Sequence, residues 1–280
     1  MNRTDSPRLE RRTGRVVSTD GTSIAYERMG NGPTVVLIGG GLTDRSENGP
    51  IVHELAQQRF TVVNYDRRGR GHSGDTPPYA LAREIEDIEA LIAESGEPAH
   101  LYGVSSGGAL ALEAAAAGVA IDRLAVYEVP YNMAADWPQR WREYVETLEA
   151  LLADGRRGDA VELFMRLADS PEETIAAARS SPMWSDLEGI AHTLAYDAAC
   201  LRDGRPPTAR LAQIRRPTLV ATGVGSRLPR AAGWVLALEP AADAIAASIP
   251  RAERETVEGG THVADPKVVA RVLERFFAQP

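Results

Sequence analysis

One short segment carries the most specific chemistry in the chain. Leu101-Tyr102-Gly103-Val104-Ser105-Ser106-Gly107-Gly108-Ala109-Leu110 reads as an apolar strand that ends in Gly-x-Ser-x-Gly and opens at once into an Ala/Leu helix. A serine on so tight a strand-to-helix turn needs small residues two positions to either side, because a Cβ there would meet the adjoining strand or helix. Gly103 and Gly107 meet that need. The helix start also places Ser105 and the amide of Ser106 where the helix dipole favours a developing anion. This is the pattern of a nucleophilic serine. A hydroxyl is a weak nucleophile until a base within hydrogen-bond reach takes its proton, and the chain offers five histidines for that task.

Other chemistries lack their residues. Gly39-Gly40-Gly41-Leu42-Thr43-Asp44 misses the third glycine of a dinucleotide fingerprint, and the single lysine, Lys267, follows Pro266 in no glycine-rich phosphate loop. Cys200 is alone, so neither an intramolecular disulfide nor a cysteine metal cluster can form, and a reducing cytoplasm is the expected compartment. With 31 basic and 39 acidic residues the formal charge is −8, so no nucleic acid or anionic lipid partner is expected. No stretch approaches the roughly 18 apolar residues of a membrane span. No metal and no cofactor are expected.

The elements that must position the serine alternate along the 280 residues. Val16-Val17, Asp20-Gly21 and Ile24 to Tyr26 read as a hairpin around a tight turn. Apolar runs follow at Thr34 to Ile38, Phe60 to Tyr65, Ala99 to Val104, Arg123 to Tyr127, Pro217 to Thr222 and, more weakly, Glu253 to Val257, as suits strands covered on both faces. Helical patterns separate them at Ile51 to Gln58, Leu81 to Ser95, Gly107 to Ala117, Pro240 to Ser248 and Pro266 to Ala278. The alternation predicts an α/β fold with a mostly parallel sheet and helices on both faces. The span 134–212 breaks it, with Trp137, Trp141, Tyr144, Phe164, Met165, Met183, Trp184 and Tyr196 on helical spacing and no convincing strand. Residues 1–15, arginine-rich without an apolar stretch, read as a flexible arm.

Three segments together resemble the α/β-hydrolase family: the turn at Gly103 to Gly107; the loop Tyr65-Asp66-Arg67-Arg68-Gly69-Arg70-Gly71-His72-Ser73, which is similar to the signature D-x-R-G-x-G-x-S; and the late Gly259-Gly260-Thr261-His262 before the last helix. The resemblance implies an eight-stranded α/β-hydrolase core over 16–133 and 213–280, with 134–212 as a helical lid. It further implies that His262 is the base, ahead of His72 and His192. The family's usual His-Gly after the third strand is replaced by Gly39-Gly40, followed by Gly41 and Leu42, but the turn stays glycine-rich, so the amide near Gly41 can pair with that of Ser106 as an oxyanion hole.

The acid departs from the common pattern. The strand after the lid runs into Gly223-Val224-Gly225-Ser226-Arg227-Leu228-Pro229-Arg230 without a carboxylate. Glu128 stands at the end of the preceding strand, and neighbouring strands lie only about 4.8 Å apart, so a carboxylate moved by one strand still reaches the histidine. Some family members carry their acid there. A structural Glu128 paired with Arg67 or Arg70 is the alternative, with Asp136, Asp197 and Asp265 in reserve. Asp66 and Arg67 read as residues that tie down neighbouring loops.

The expected activity is hydrolysis of an ester or lactone of a small apolar or aromatic substrate, with Leu42, Trp137, Trp141 and Trp184 as substrate contacts. A serine at this position argues against the family's epoxide hydrolases and haloalkane dehalogenases, which form an ester on an aspartate. Thioester, carbon-carbon and perhydrolytic chemistry stay open, as does a degenerate hydrolase that binds a small apolar ligand or templates a non-hydrolytic reaction.

Overall fold

The computed structural model describes residues 10–279 apart from 97, 228–232, 259–261 and 263. Strands β1 (Arg11–Val17) and β2 (Ser23–Gly30) form the expected hairpin, with Gly21 at φ 85° in the turn. The flexible arm read over 1–15 is corrected from Arg11 onward: those residues pair with β2 residue by residue. Their side chains are almost all exposed, so the backbone ladder that makes them a strand leaves no apolar mark in the sequence.

Six further strands follow: β3 (Thr34–Ile38), β4 (Thr61–Tyr65), β5 (Ala99–Val104), β6 (Ile121–Tyr127), β7 (Thr218–Gly223) and β8 (Ala252–Val257). The eight-stranded sheet has the order β1-β2-β4-β3-β5-β6-β7-β8, antiparallel from β1 to β4 and parallel from β4 to β8. The helices are α1 (Gly49–Gln57), α2 (Leu81–Ser95), α3 (Ser106–Ala117), α4 (Trp137–Ala153), α5 (Arg157–Leu167), α6 (Glu172–Arg179), α7 (Trp184–Ile190), α8 (Thr193–Leu201), α9 (Thr208–Leu211), α10 (Gly233–Leu236), α11 (Leu238–Ser248) and α12 (Pro266–Phe277).

The strand period of two splits the core between the two faces of the sheet. Val35, Leu37, Tyr102, Ala125 and Tyr127 face α1 and α12, where they meet Val52, Leu55, Val269, Leu273 and Phe277. Their neighbours Val36, Ile38, Leu101 and Val126 face the other side, with Ile88 and Leu91 of α2, Leu110 of α3 and Ile245 of α11. Helices α4 to α9 occupy the chain between β6 and β7, as the helical spacing predicts. In α4 the buried Trp137, Trp141, Tyr144 and Leu148 fall on one stripe at i, i+4, i+7 and i+11.

One core position links the fold to pH. His100 on β5 is 6% exposed and stacks on Phe277 with ring centroids 4.5 Å apart, and its Nδ1 has no hydrogen-bond partner. Burial lowers its pKa from 6.5 to about 4. The unfolded chain therefore binds a proton that the folded one refuses as pH falls from about 6.5 to 4, and stability is lost over that window, by about 3 kcal/mol at most. His100→Phe is expected to shrink the fall in Tm between pH 7 and pH 4.5, read by circular dichroism melts of both proteins. An equal fall in the variant would remove His100 from the acid response.

Candidate active site

Parallel strands deliver their carboxyl ends to one edge of the sheet, which is where open α/β sheets hold ligands. Here that edge collects Gly39 to Gly41 after β3, Ser105 after β5, Glu128 after β6 and Gly223 at the end of β7. Three described non-glycine residues at this edge have positive φ: Leu42 at 50°, Ser105 at 56° and Glu128 at 48°. Each such residue stores of order 1–3 kcal/mol and persists only where its surroundings impose it, a pattern that clusters at functional sites.

Ser105 is held by its backbone. Its N–H donates to Tyr127 O at 2.9 Å, and its own carbonyl accepts from Gly108 N–H at 2.9 Å as α3 begins. A Cβ on Gly103 would collide with the backbone of Gly107, and one on Gly107 would collide with the carbonyl oxygens of Ile38 and Gly39. Because those obstacles are backbone, Gly107→Ala is expected to cost about 1–3 kcal/mol and to push the Gly39–Gly41 loop from its place. Urea unfolding would read the loss, and an unchanged midpoint would show that the turn yields.

Glu128 is buried to 1% exposure, and its two carboxylate oxygens are both occupied. Oε1 accepts the Gly223 N–H at 2.8 Å, and Oε2 lies 2.8 Å from His262 Nδ1. The ring of His262 is partly exposed and meets Trp234 edge-on, with centroids 4.7 Å apart. The rest of the Gly259-Gly260-Thr261 stretch lies outside the described residues. Arg67 and Arg70 do not pair with Glu128. The reserve carboxylates are engaged elsewhere: Asp136 is exposed at the start of α4, Asp265 caps α12 by accepting the Lys267 N–H at 2.9 Å, and Asp197 pairs with arginines. His72 is exposed, and His192 Nε2 lies 3.2 Å from Asp75.

Ser105, Ser106, Gly41 and His262 line one cavity of about 540 Å³. Its walls are mainly apolar, with Trp137, Trp141, Tyr144, Phe164, Leu194 and Trp234 among them. Trp137 and Trp141, read from the sequence as substrate contacts, stand in these walls. Trp184 and Leu42 are not among the described residues of these walls. Trp184 packs with Val161 and Ala191 in a small separate core and donates its indole N–H to Glu188 at 3.0 Å, and Leu42 packs against the same cluster. Helical spacing told which face of the segment is apolar but not which apolar face meets the cavity.

The signature loop is a buried ion network. Asp66 accepts the backbone N–H groups of Arg45 and His72, and Arg68 binds Asp87 and Asp20. Arg67 forks onto Glu84 and also reaches Asp197 Oδ1 at 2.7 Å, while Arg70 reaches the same oxygen at 2.8 Å. Burial works to raise the Asp197 carboxyl, but the neighbouring charges of Arg70 and Arg67 outweigh it and hold it below the ordinary range. Ser106 Oγ donates to Asp197 Oδ1 at 2.8 Å. Trp234 and this arginine pairing of Asp197 were not anticipated. The surplus arginines at variable positions of the loop were the signal for the second, since buried cations require acidic partners.

A family model described as "Alpha/beta hydrolase family" matches residues 35–272. The chain belongs to this family. Among solved structures, an alpha/beta hydrolase from Sphaerobacter thermophilus is 46% identical, with a TM-score of 0.82 over 95% of this chain and 100% of that one. The hydrolase YraK of Bacillus subtilis is 33% identical over 97 residues, which is 33% of this chain and 35% of YraK. The human protein named serine hydrolase BPHL is 34% identical over 111 residues, 37% of this chain and 38% of that one. The chain thus matches little more than a third of the length of these two curated relatives. Among the described residues of this alpha/beta hydrolase, no helix is long and apolar enough to cross a membrane.

Proposed function

We propose that this alpha/beta hydrolase is a cytoplasmic, cofactor-free serine hydrolase that cleaves an ester or lactone of a small apolar or aromatic substrate, with α4 to α9 as its lid. The observation that carries the reading is the 2.8 Å contact between His262 Nδ1 and buried Glu128 beside a cavity that also presents Ser105. Glu128 accepts the Nδ1 proton, which leaves Nε2 unprotonated and able to take the proton of Ser105 as Oγ attacks the carbonyl carbon. For that transfer Oγ and Nε2 come within hydrogen-bond reach of each other as substrate seats. The carbonyl oxygen becomes an oxyanion held by the N–H groups of Gly41 and Ser106. Collapse expels the alcohol, which takes the proton from His262, and leaves an acyl group on Ser105. Water then attacks that group, with His262 as base, and releases the acid. The apolar walls around Trp137 and Trp141 favour a substrate with an apolar or aromatic group.

The name "serine hydrolase" carried by the human relative supports the same reading. The test is a fluorophosphonate label followed by peptide mass spectrometry, alongside turnover of p-nitrophenyl butyrate. One label per chain on Ser105, and none on the neighbouring Ser106, is the expected result. Absence of both label and turnover would favour the degenerate, ligand-binding form of the fold.

A further inference from the structure

The Gly39-Gly40-Gly41 loop has three consecutive residues without a side chain, the least restrained backbone a sequence can specify. An oxyanion hole works only if its donors are already aimed, since it gains its advantage from dipoles that need not reorganise during the reaction. Something other than the loop's own side chains must aim it. The carbonyl of Gly40 accepts hydrogen bonds from buried Arg70 Nη1 and, at 3.0 Å, from Thr43 Oγ1, and the same arginine nitrogen lies 3.5 Å from Thr43 O. Arg67 Nη1 lies 3.5 Å from Gly39 O. In a planar trans peptide the C=O and the next N–H point in opposite directions. Fixing Gly40 O on one side therefore fixes the Gly41 N–H on the other.

Arg70 is itself fixed. It is 2% exposed, and its Nη2 donates to Asp197 Oδ1, the same oxygen that accepts from Ser106 Oγ and Arg67. Residues from the two sides of the oxyanion hole, Ser106 and the Gly40–Gly41 peptide, thus hang on one buried cluster whose carboxylate comes from α8, in the helical segment over the cavity. Arg67 and Arg70 occupy variable positions of D-x-R-G-x-G-x-S; the signature arginine is Arg68, which turns away toward Asp87 and Asp20.

We propose that Arg70 is a positioning residue of the oxyanion hole: it aims the Gly41 N–H by holding the Gly40 carbonyl, and Asp197 holds Arg70 in that pose. The proposal rests on Gly41 and Ser106 being the oxyanion donors. Arg70→Gln and Arg70→Lys test it, with p-nitrophenyl butyrate for turnover and a trifluoromethyl ketone whose hemiketal with serine carries the same oxyanion. Misaiming one donor predicts a fall in kcat on the order of 10²-fold for Arg70→Gln, with KM within about twofold. Ketone affinity is expected to fall in step, while the affinity for the product butyrate holds. Arg70→Lys, which can still donate to the carbonyl, is expected to recover part of both losses, and it carries the test alone if the glutamine variant does not fold. Wild-type kcat in both variants, or a fall in kcat with full ketone affinity, would overturn the positioning role while fluorophosphonate still labels Ser105. Wild type that takes no label would instead sink the hydrolase reading and this one with it.

Discussion

Ser105→Ala is expected to lower kcat for p-nitrophenyl butyrate on the order of 10⁶-fold, to abolish fluorophosphonate labelling, and to leave the fold intact. The size follows from what is lost: without Oγ no acyl-enzyme forms, and the remaining oxyanion donors and binding surface assist only direct attack by water. The expectation of an unchanged fold has its own basis. Ser105 Oγ makes no hydrogen bond to another described residue, so its removal orphans no partner, and alanine inherits the same φ of 56° from the surrounding turn. Loss of the hydroxyl removes a single atom from the packing. Unfolding free energies of the two proteins, read from urea titrations, should agree within about 1 kcal/mol. Wild-type turnover in the variant would move the nucleophile elsewhere, with Ser106 excluded only if Ser106→Ala is also active.

Legibility varied along the chain for physical reasons. The ranges of β3, β5 and α2 were readable to the residue, because fully buried strands leave continuous apolar runs and because Gly96, at φ 73°, stops α2 where a left-handed cap is needed. β6 begins two residues earlier than its apolar run, at Ile121, because exposed Asp122 interrupts the pattern without breaking the ladder. In β1 the pairing is carried by backbone groups that no side chain reports.

At the site, Gly103 and Gly107 announced Ser105 because each abuts backbone that tolerates no Cβ. Glu128 was reachable only through strand order: no carboxylate follows its neighbour β7 in the sequence, which turned the search for the proposed acid one strand over. The positions of Trp137 and Trp184 illustrate the limit. Both lie on apolar helix faces, but only tertiary packing decides that one faces the cavity and the other a separate small core. The same holds for Asp197, whose partners Arg67 and Arg70 are well over a hundred residues away in sequence.

Glu128→Gln isolates the carboxylate from its shape. The substitution is nearly isosteric, and one of its two terminal atoms can still accept the Gly223 N–H that Oε1 now holds at 2.8 Å. If the amide oxygen takes that bond, the NH₂ group faces His262 Nδ1 and donates to it. Nδ1 must then be unprotonated, so the imidazole proton moves to Nε2, and the nitrogen that should receive the Ser105 proton is already occupied. If the amide flips, its oxygen meets His262, but the NH₂ is then forced against the Gly223 N–H, donor against donor in a buried site. Each arrangement also lacks the negative charge that stabilises the imidazolium formed during attack. kcat is therefore expected to fall on the order of 10⁴-fold, with the melting curve close to that of the wild type and the rate of fluorophosphonate labelling lowered in parallel. Retention of wild-type turnover would remove Glu128 from the mechanism and leave its contact with His262 a structural one. A large loss of stability together with activity would leave the carboxylate's catalytic share to be read from Glu128→Asp, which keeps the charge and shortens the reach.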